Sequence, residues 1–284
     1  MSTIAPIKKI AVIYLAWLPY GLEHLTGFLD SYKNFKAGYA HELIIALNGI
    51  SLVTPADVQL FLNEVAKSRL ENYSFQKFEK GQDIFVYSKI ADTIDADYIL
   101  CLNSFSVIKS HNWLKLYVNS SNGQTGVTGA TGSYASYPEM EARKFKRLSS
   151  PVEKFRLIKY LIKLKIFYNR VFPAFPNPHI RTTGFFIKRN LFLSLEKRYP
   201  KNKMEAYYFE NGINSMTRQL LKKGLHCIVI DKYGSPYDID KWRASHTFWV
   251  AQQENLLIAD NRTGSYDEAD DAAKKYMETD AWGR

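Results

Sequence analysis

The chain has 284 residues, 46% hydrophobic and 23% charged, which excludes wholesale disorder and fits one large domain or a domain with a small extension. Its two cysteines, Cys101 and Cys227, are too few for a disulfide framework and point to a reducing cytosol, and no run of 18 apolar residues offers a transmembrane helix. Of the net charge of +10, nine charges fall in residues 143–170, where ten Lys/Arg meet one acid, Glu153, so the rest of the chain is nearly neutral.

After Lys8 and Lys9, "IAVIYLAW" imitates the apolar core of a signal peptide. Trp17, Pro19 and Tyr20 interrupt it and no small-residue cleavage site follows, so it reads as a first buried strand. "GLEHLTGFLDSYKNF" has apolar residues at helical spacing, and "HELIIALNGI" is a second buried strand that ends at Asn48-Gly49. Thr54 and Pro55 then form a strong helix start, the first as N-cap and the second at the first helical position. A short strand near residues 73–78, a helix over "DIFVYSKIADTI" and a strand over "DYILCLNS" follow. "SHNWLKLYVNSS" reads as helix and "QTGVTGATGSYAS" as a strand punctuated by glycine.

The basic segment interrupts this rhythm. Ser150 and Pro151 start a helix with Phe155, Ile158, Leu161, Ile162 and Ile166 at helical spacing, and with Arg156, Lys159, Lys163 and Arg170 on another face. The prolines of "FPAFPNPH" end it. "TTGFFIKRNLFLSLEKRY" reads as strand, turn and helix, "MEAYYFENGINSMTRQLLKKG" as a loop entering a helix capped by Gly224, and "LHCIVID" as the last core strand.

Alternating strands and helices predict an α/β sheet built of crossover units, which binds ligands at the carboxyl ends of its strands. Asn48 and the cluster Asn103–Ser106 both stand at such ends. Neither G-x-G-x-x-G after the first strand nor a phosphate loop of the G-x-x-x-x-G-K-[ST] kind is present.

In this order the segments resemble a GT-A glycosyltransferase, nearest the family 2 enzymes of bacterial cell surfaces. The first strand with "ELIIALNG" resembles the nucleotide-binding start, and "DADYILCLNSFS" the strand that normally ends in a metal-binding D-x-D. "TTGFFIKRNLF" resembles the acceptor-side strand and helix, and "FENGINSMTRQLLKKGLHCIVID" the acidic motif and strand that follow. The resemblance covers roughly residues 8–232. It implies a Rossmann-like, mostly parallel mixed sheet flanked by helices over 1–232, a basic helical insertion at 143–176 and a C-terminal arm or lid at 233–284.

The chain departs from that pattern where the metal is expected. Asn103-Ser104-Phe105 replaces D-x-D, and neutral Asn and Ser hold a hard cation poorly. Asp95-Ala96-Asp97 precedes its strand, at the wrong end of the sheet, and Asp238-Ile239-Asp240 follows the last core strand in a loop. No metal ligands are therefore assigned, Mg or Mn being only what the family allows. Cationic side chains are expected to meet the leaving diphosphate instead.

Donor binding is assigned to Asn48, Asp83, Asn103, Ser104, Ser106, Arg181 and Arg243, with His179, Lys241 and His246 as acceptor or phosphate candidates. An inverting transfer needs a carboxylate to take the acceptor proton. Glu210 in "YYFENG", read as standing just before a helix, takes that role, with Glu205 as fallback. The implied function moves a sugar from a nucleotide-sugar donor to a glycan or lipid-linked acceptor in bacterial surface polysaccharide or lipopolysaccharide synthesis. The place is the cytoplasm, or the inner face of the cytoplasmic membrane, where residues 143–170 suit an anionic surface. Nucleic acid is not an expected partner, because no recognised motif accompanies the charge. The alternatives are a non-catalytic GT-A-like glycan-binding or scaffold module and, below it, a nucleic-acid-binding α/β domain.

Overall fold

A computed structural model describes residues 9–147, 150–168, 171–197 and 203–283, with the side chains of 144–147 and 163–168 outside that description. The first strands are β1 (Ile10–Trp17), β2 (Glu42–Asn48), β3 (Tyr73–Phe78), β4 (Tyr98–Leu102), β5 (Val107–Ile108) and β6 (Thr125–Gly129). β7 (Gly132–Ser133), β8 (His179–Ile180), β9 (Phe185–Lys188), β10 (His226–Ile230), β11 (Pro236–Tyr237) and β12 (Ile258–Ala259) follow. Helices α1 (Glu23–Asn34), α2 (Pro55–Lys67), α3 (Asp83–Thr93) and α4 (Trp113–Ser120) connect the first half. The second half carries α5 (Tyr137–Arg147), α6 (Pro151–Tyr168), α7 (Arg189–Ser194), α8 (Lys203–Asn211), α9 (Met216–Lys222), α10 (Asn261–Asp267) and α11 (Asp271–Trp282).

Eight strands form one mixed sheet in the order β11-β10-β6-β9-β4-β1-β2-β3, the α/β architecture the sequence predicts. β1, β2 and β4 are apolar at nearly every position and buried on both faces, as strands covered by helices on both sides must be. Along β1 the alternation of side chains divides the core. Ala11, Ile13 and Leu15 meet α3, α7 and α9 on one face, and Val12 and Tyr14 meet α1, α2 and α4 on the other. α2 starts as its sequence requires: Thr54 accepts from the Asp57 backbone N–H, and Asp57 accepts from that of Thr54. Gly224, at φ +72°, ends α9.

The strand that matters most for function runs backwards. β9 lies between β4 and β6, antiparallel to both. An antiparallel strand begins where its parallel neighbours end, so residues 179–184 cross the carboxyl rim of the sheet. The Gly184 N–H donates to the Cys101 carbonyl at 3.0 Å and fixes that crossing. Gly184 sits at φ +65°, and a Cβ there would meet the Ala130 Cβ at 3.1 Å, so the turn needs glycine.

The C-terminal segment packs into the main body. Trp242, Trp249, Tyr266 and Trp282 share the core face that holds Ile13 and Cys101. The insertion behaves differently: α5, α6 and α8 meet in a small separate cluster around Tyr137 and Phe172, with Tyr160, Leu161 and Tyr207 packed on it. Of the residues assigned to the faces of α6, Arg170 and the side chains of Lys163 and Ile166 lie outside the described residues.

Candidate active site

A cleft of about 640 Å³ opens along the carboxyl rim, between the ends of β1, β2 and β4, the start of α3, α8 and the C-terminal segment. A volume of that order suits a small-molecule site. At one end Asn48, buried at the tip of β2, donates from Nδ2 to the Gly81 carbonyl at 2.8 Å. Its Oδ1 is buried without a partner among the described residues. Asp83 opens α3 beside it, its Oδ1 accepting from the Ile84 N–H at 2.8 Å. Burial, reinforced by the charge of Glu210, pushes the Asp83 pKa up to about 6 despite that hydrogen bond.

The Asn103-Ser104 turn is a latch. Asn103 donates from Nδ2 to Thr183 Oγ1 at 2.7 Å and accepts at Oδ1 from the Phe105 N–H at 3.0 Å and from Ser106 Oγ at 3.3 Å. Ser104 Oγ donates to the Leu15 carbonyl at 2.8 Å and accepts from the Trp17 N–H at 3.0 Å. These bonds tie the end of β4 to β1 and to the crossing before β9. A divalent ion would have to break them and would gain only neutral ligands, so the residues at the D-x-D position do not fit one. Ser106 is fully buried and does not line the cleft, a correction to its assignment as a donor ligand.

Glu210 lines the cleft from the last turn of α8 and does not stand ahead of a helix as expected. The C-terminal end of a helix repels a carboxylate, so other donors must hold it. They come from the crossing: the Thr182 N–H at 2.9 Å and Thr182 Oγ1 at 2.5 Å, both on Oε2. Oε1 accepts no hydrogen bond from the described residues. His179 lines the same wall, with Nδ1 at 2.8 Å from the Asn177 carbonyl, which fixes the proton on Nδ1 and leaves Nε2 as the acceptor nitrogen. Burial lowers the His179 pKa against the opposing pull of Glu210.

Arg181 is held on three sides. Its Nη2 donates to Asp260 Oδ2 at 2.7 Å, Nη1 to Thr131 Oγ1 at 3.4 Å, and the guanidinium lies over Phe248 at 4.3 Å. Burial alone would raise the Asp260 pKa, but the charge and hydrogen bond of Arg181 hold it below the ordinary value. Arg181 is thus neutralised by its partner. Among the described residues, the cations left on the cleft wall are Lys203 and Arg262.

Three cationic assignments are corrected. Arg243 and Lys241 are exposed and do not line the cleft, because Trp242 between them turns inward and is fully buried. His246 faces Glu254 at 2.8 Å and also stands off the cleft. Of the two D-x-D texts elsewhere, Asp95 pairs with Lys9 at the amino end of the sheet, and Asp238 faces His226 at 3.7 Å. Among the described residues no cluster of three His, Cys, Asp or Glu side chains is arranged to hold a metal.

Thr182, Asp260 and the far wall of Tyr137, Glu141, Tyr207 and Asp280 were not foreseen. Only Asp260 carried a signal: "DNRT" is a capping box, in which Asp260 accepts from the Thr263 N–H and Thr263 Oγ1 accepts from that of Asp260. That motif announces a helix start and says nothing of Arg181.

No protein-family model matches the chain, and no curated protein does. Among solved structures it is similar to S. aureus TarS 1–349, at 15% identity and a TM-score of 0.33, over 43% of this chain and 35% of that one. The chain thus spans about a third of that TarS structure. It is also similar to the galactosyltransferase LgtC in complex with donor and acceptor sugar analogs, at 11% identity and a TM-score of 0.43, over 78% and 73% of the two chains. A nucleotidyl transferase from Methanothermobacter reaches a TM-score of 0.42 at 9% identity, over 78% and 85%.

Proposed function

We propose that the chain is an inverting glycosyltransferase that uses a nucleotide sugar and does without a metal at the D-x-D position. One observation carries the reading: a carboxylate on the cleft wall, Glu210, is anchored through Oε2 by both donors of Thr182 and keeps Oε1 without a hydrogen bond from the described residues. That is the arrangement a general base needs, oriented through one oxygen and open at the other. The nucleoside lies by Asn48 and Asp83, which line the same end of the cleft with Gly81 and Gln82.

The acceptor lies against Tyr137 and Tyr207, side chains suited to the apolar face of a sugar ring. Glu210 takes the proton of the acceptor hydroxyl, whose oxygen bonds to C1 of the donor sugar. The bond from C1 to the diphosphate breaks, and its electron pair leaves with the diphosphate. Lys203 and Arg262, in place of the Arg181 and Arg243 expected from sequence, meet that charge.

A glycan or lipid-linked acceptor of a bacterial surface polysaccharide, handled at the cytoplasmic face of the membrane, fits this reading. No helix among the described residues is long and apolar enough to cross a membrane. The test is calorimetric titration with UDP, GDP, CMP and dTDP, each in EDTA and with excess magnesium or manganese. Tight binding of one nucleotide in EDTA is expected. Binding only with metal would overturn the metal-free donor site, and no binding at all would overturn the enzyme. The latch at Asn103 and Ser104 favours one second reading, a glycan-binding module without turnover, because a site whose polar atoms are used structurally can recognise without reacting.

A further inference from the structure

Helix α6 presents two unlike faces. Tyr160 and Leu161 turn inward onto the cluster around Tyr137, with the Tyr160 and Tyr137 hydroxyls 2.5 Å apart. Val152, Phe155, Ile158 and Ile162 point outward, 61%, 58%, 40% and 54% exposed. Their spacings of three, three and four residues place them in one stripe along three turns. A single exposed apolar side chain is ordinary on any protein, whereas four on one helical face form a patch that asks for a partner.

The charges around the stripe say which partner. Arg156 is exposed beside it, and Lys159 stands within it one turn beyond Phe155, a long side chain whose Nζ lies 4.6 Å from the centre of the Phe155 ring and can reach out to lipid phosphates. The helix belongs to the segment that holds nine of the ten net positive charges of the protein. Nucleic acid would engage the cations and leave the stripe in water. An apolar protein groove would engage the stripe and leave the cations without a role. An anionic bilayer engages both, the apolar side chains entering the acyl boundary while the cations stay at the phosphates.

We propose that α6 lies flat on an anionic lipid bilayer as the membrane-docking element of this protein. The cleft is then held at a defined height. Tyr137 lines it and touches Tyr160 on the inner side of α6, so the far wall stands about one helix width, roughly 10–12 Å, above the lipid surface. An acceptor whose reactive sugar projects a short way from the bilayer reaches that wall without leaving the membrane.

The experiment is co-sedimentation of the full chain with phosphatidylcholine vesicles, with and without about 30% phosphatidylglycerol. Binding is expected only with the anionic lipid, and is expected to weaken at least about tenfold when salt is raised from about 0.1 M to about 1 M, which shortens the Debye length from about 10 Å to about 3 Å. Phe155→Asp with Ile162→Asp should abolish it, while the titration with nucleotide stays as in the parent. Docking and donor binding therefore fail separately. Should that variant not fold, Arg156→Glu with Lys159→Glu decides, with the same loss expected. Equal binding to neutral vesicles, binding to neither, or full retention by these variants overturns the proposal. So does a dimer in light scattering that Phe155→Asp splits, or a single-stranded RNA that binds the full chain more tightly than the vesicles do.

Discussion

Both donors of Thr182 fall on one oxygen of Glu210, which orients the carboxylate without saturating it. Glu210→Gln keeps the shape and accepts from the same donors but cannot take a proton. Turnover is expected to fall by about 10²–10⁴-fold with the donor dissociation constant unchanged within about twofold. Initial rates and calorimetry on one preparation check this, and weakened donor binding with unchanged turnover would sink the assignment. Asp83 makes a prediction about pH. Its pKa in the folded chain, about 6, lies above its ordinary 3.8. The folded state therefore holds the proton more tightly than the unfolded one. The stabilisation this gives is complete below about pH 3.8 and is lost as pH rises through about 6. Asn at this position cannot ionise yet still accepts from the Ile84 N–H. Asp83→Asn is expected to gain stability over the parent as pH rises from about 4 to about 7.5, by up to about 3 kcal/mol. Urea denaturation at the two pH values measures it, and an equal difference at both would show that the carboxyl is not held protonated by its surroundings.

At the scale of elements, the crossing before β9 accounts for what could be read in the sequence and what could not. Asn48, Asn103, Ser104, His179 and Arg181 reach the cleft because strand ends and the start of a reversed strand share one rim, whereas Asp83 reaches it from the start of α3 and Glu210 from the last turn of α8. Local patterns locate such ends, so these residues were legible. Arg181 and Asp260 are 79 positions apart, and no local pattern links two segments at that distance. α8 was hidden for another reason. Its run of aromatics has modest helix propensity, and packing supplies the rest, with Phe209 in the main core and Tyr207 and Tyr208 in the small cluster. Lys241 and Arg243 misled because only the fold reveals that Trp242 turns inward. The pair of Arg181 and Asp260 joins the crossing to α10, and Asp260→Asn isolates its contribution. Asn caps α10 as well as Asp does, so the helix start is retained while Arg181 loses its counter-charge. Leaving a buried guanidinium uncompensated costs about 3 kcal/mol. Chemical denaturation is expected to show a loss of that order, and a change below about 1 kcal/mol would mean the pair is not dry.

For the molecule as a whole, the question is whether residues 233–284 are a lid that can move or part of the body. A lid would bury its own apolar residues and meet the body across a polar seam. Here Trp242, Phe248, Trp249, Tyr266 and Trp282 enter the same core face as Ile13 and Phe185. Backbone bonds cross as well, from the Tyr134 N–H to the Ala281 carbonyl at 2.8 Å and from the Lys109 N–H to the Leu257 carbonyl at 3.0 Å. Removing a single buried aromatic side chain costs about 3–5 kcal/mol, and a whole domain is stable by only about 5–15 kcal/mol. Losing five such side chains with the pair at Arg181 exceeds that margin, even after generous repacking. A chain ended at residue 232 is therefore expected to lack a cooperative urea transition and near-ultraviolet dichroism. If it unfolded cooperatively near the midpoint of the full chain, the segment would be separable, and closure over the cleft would become a tenable role for it. If it fails as expected, Arg262 and Asp260 reach the cleft from part of the core.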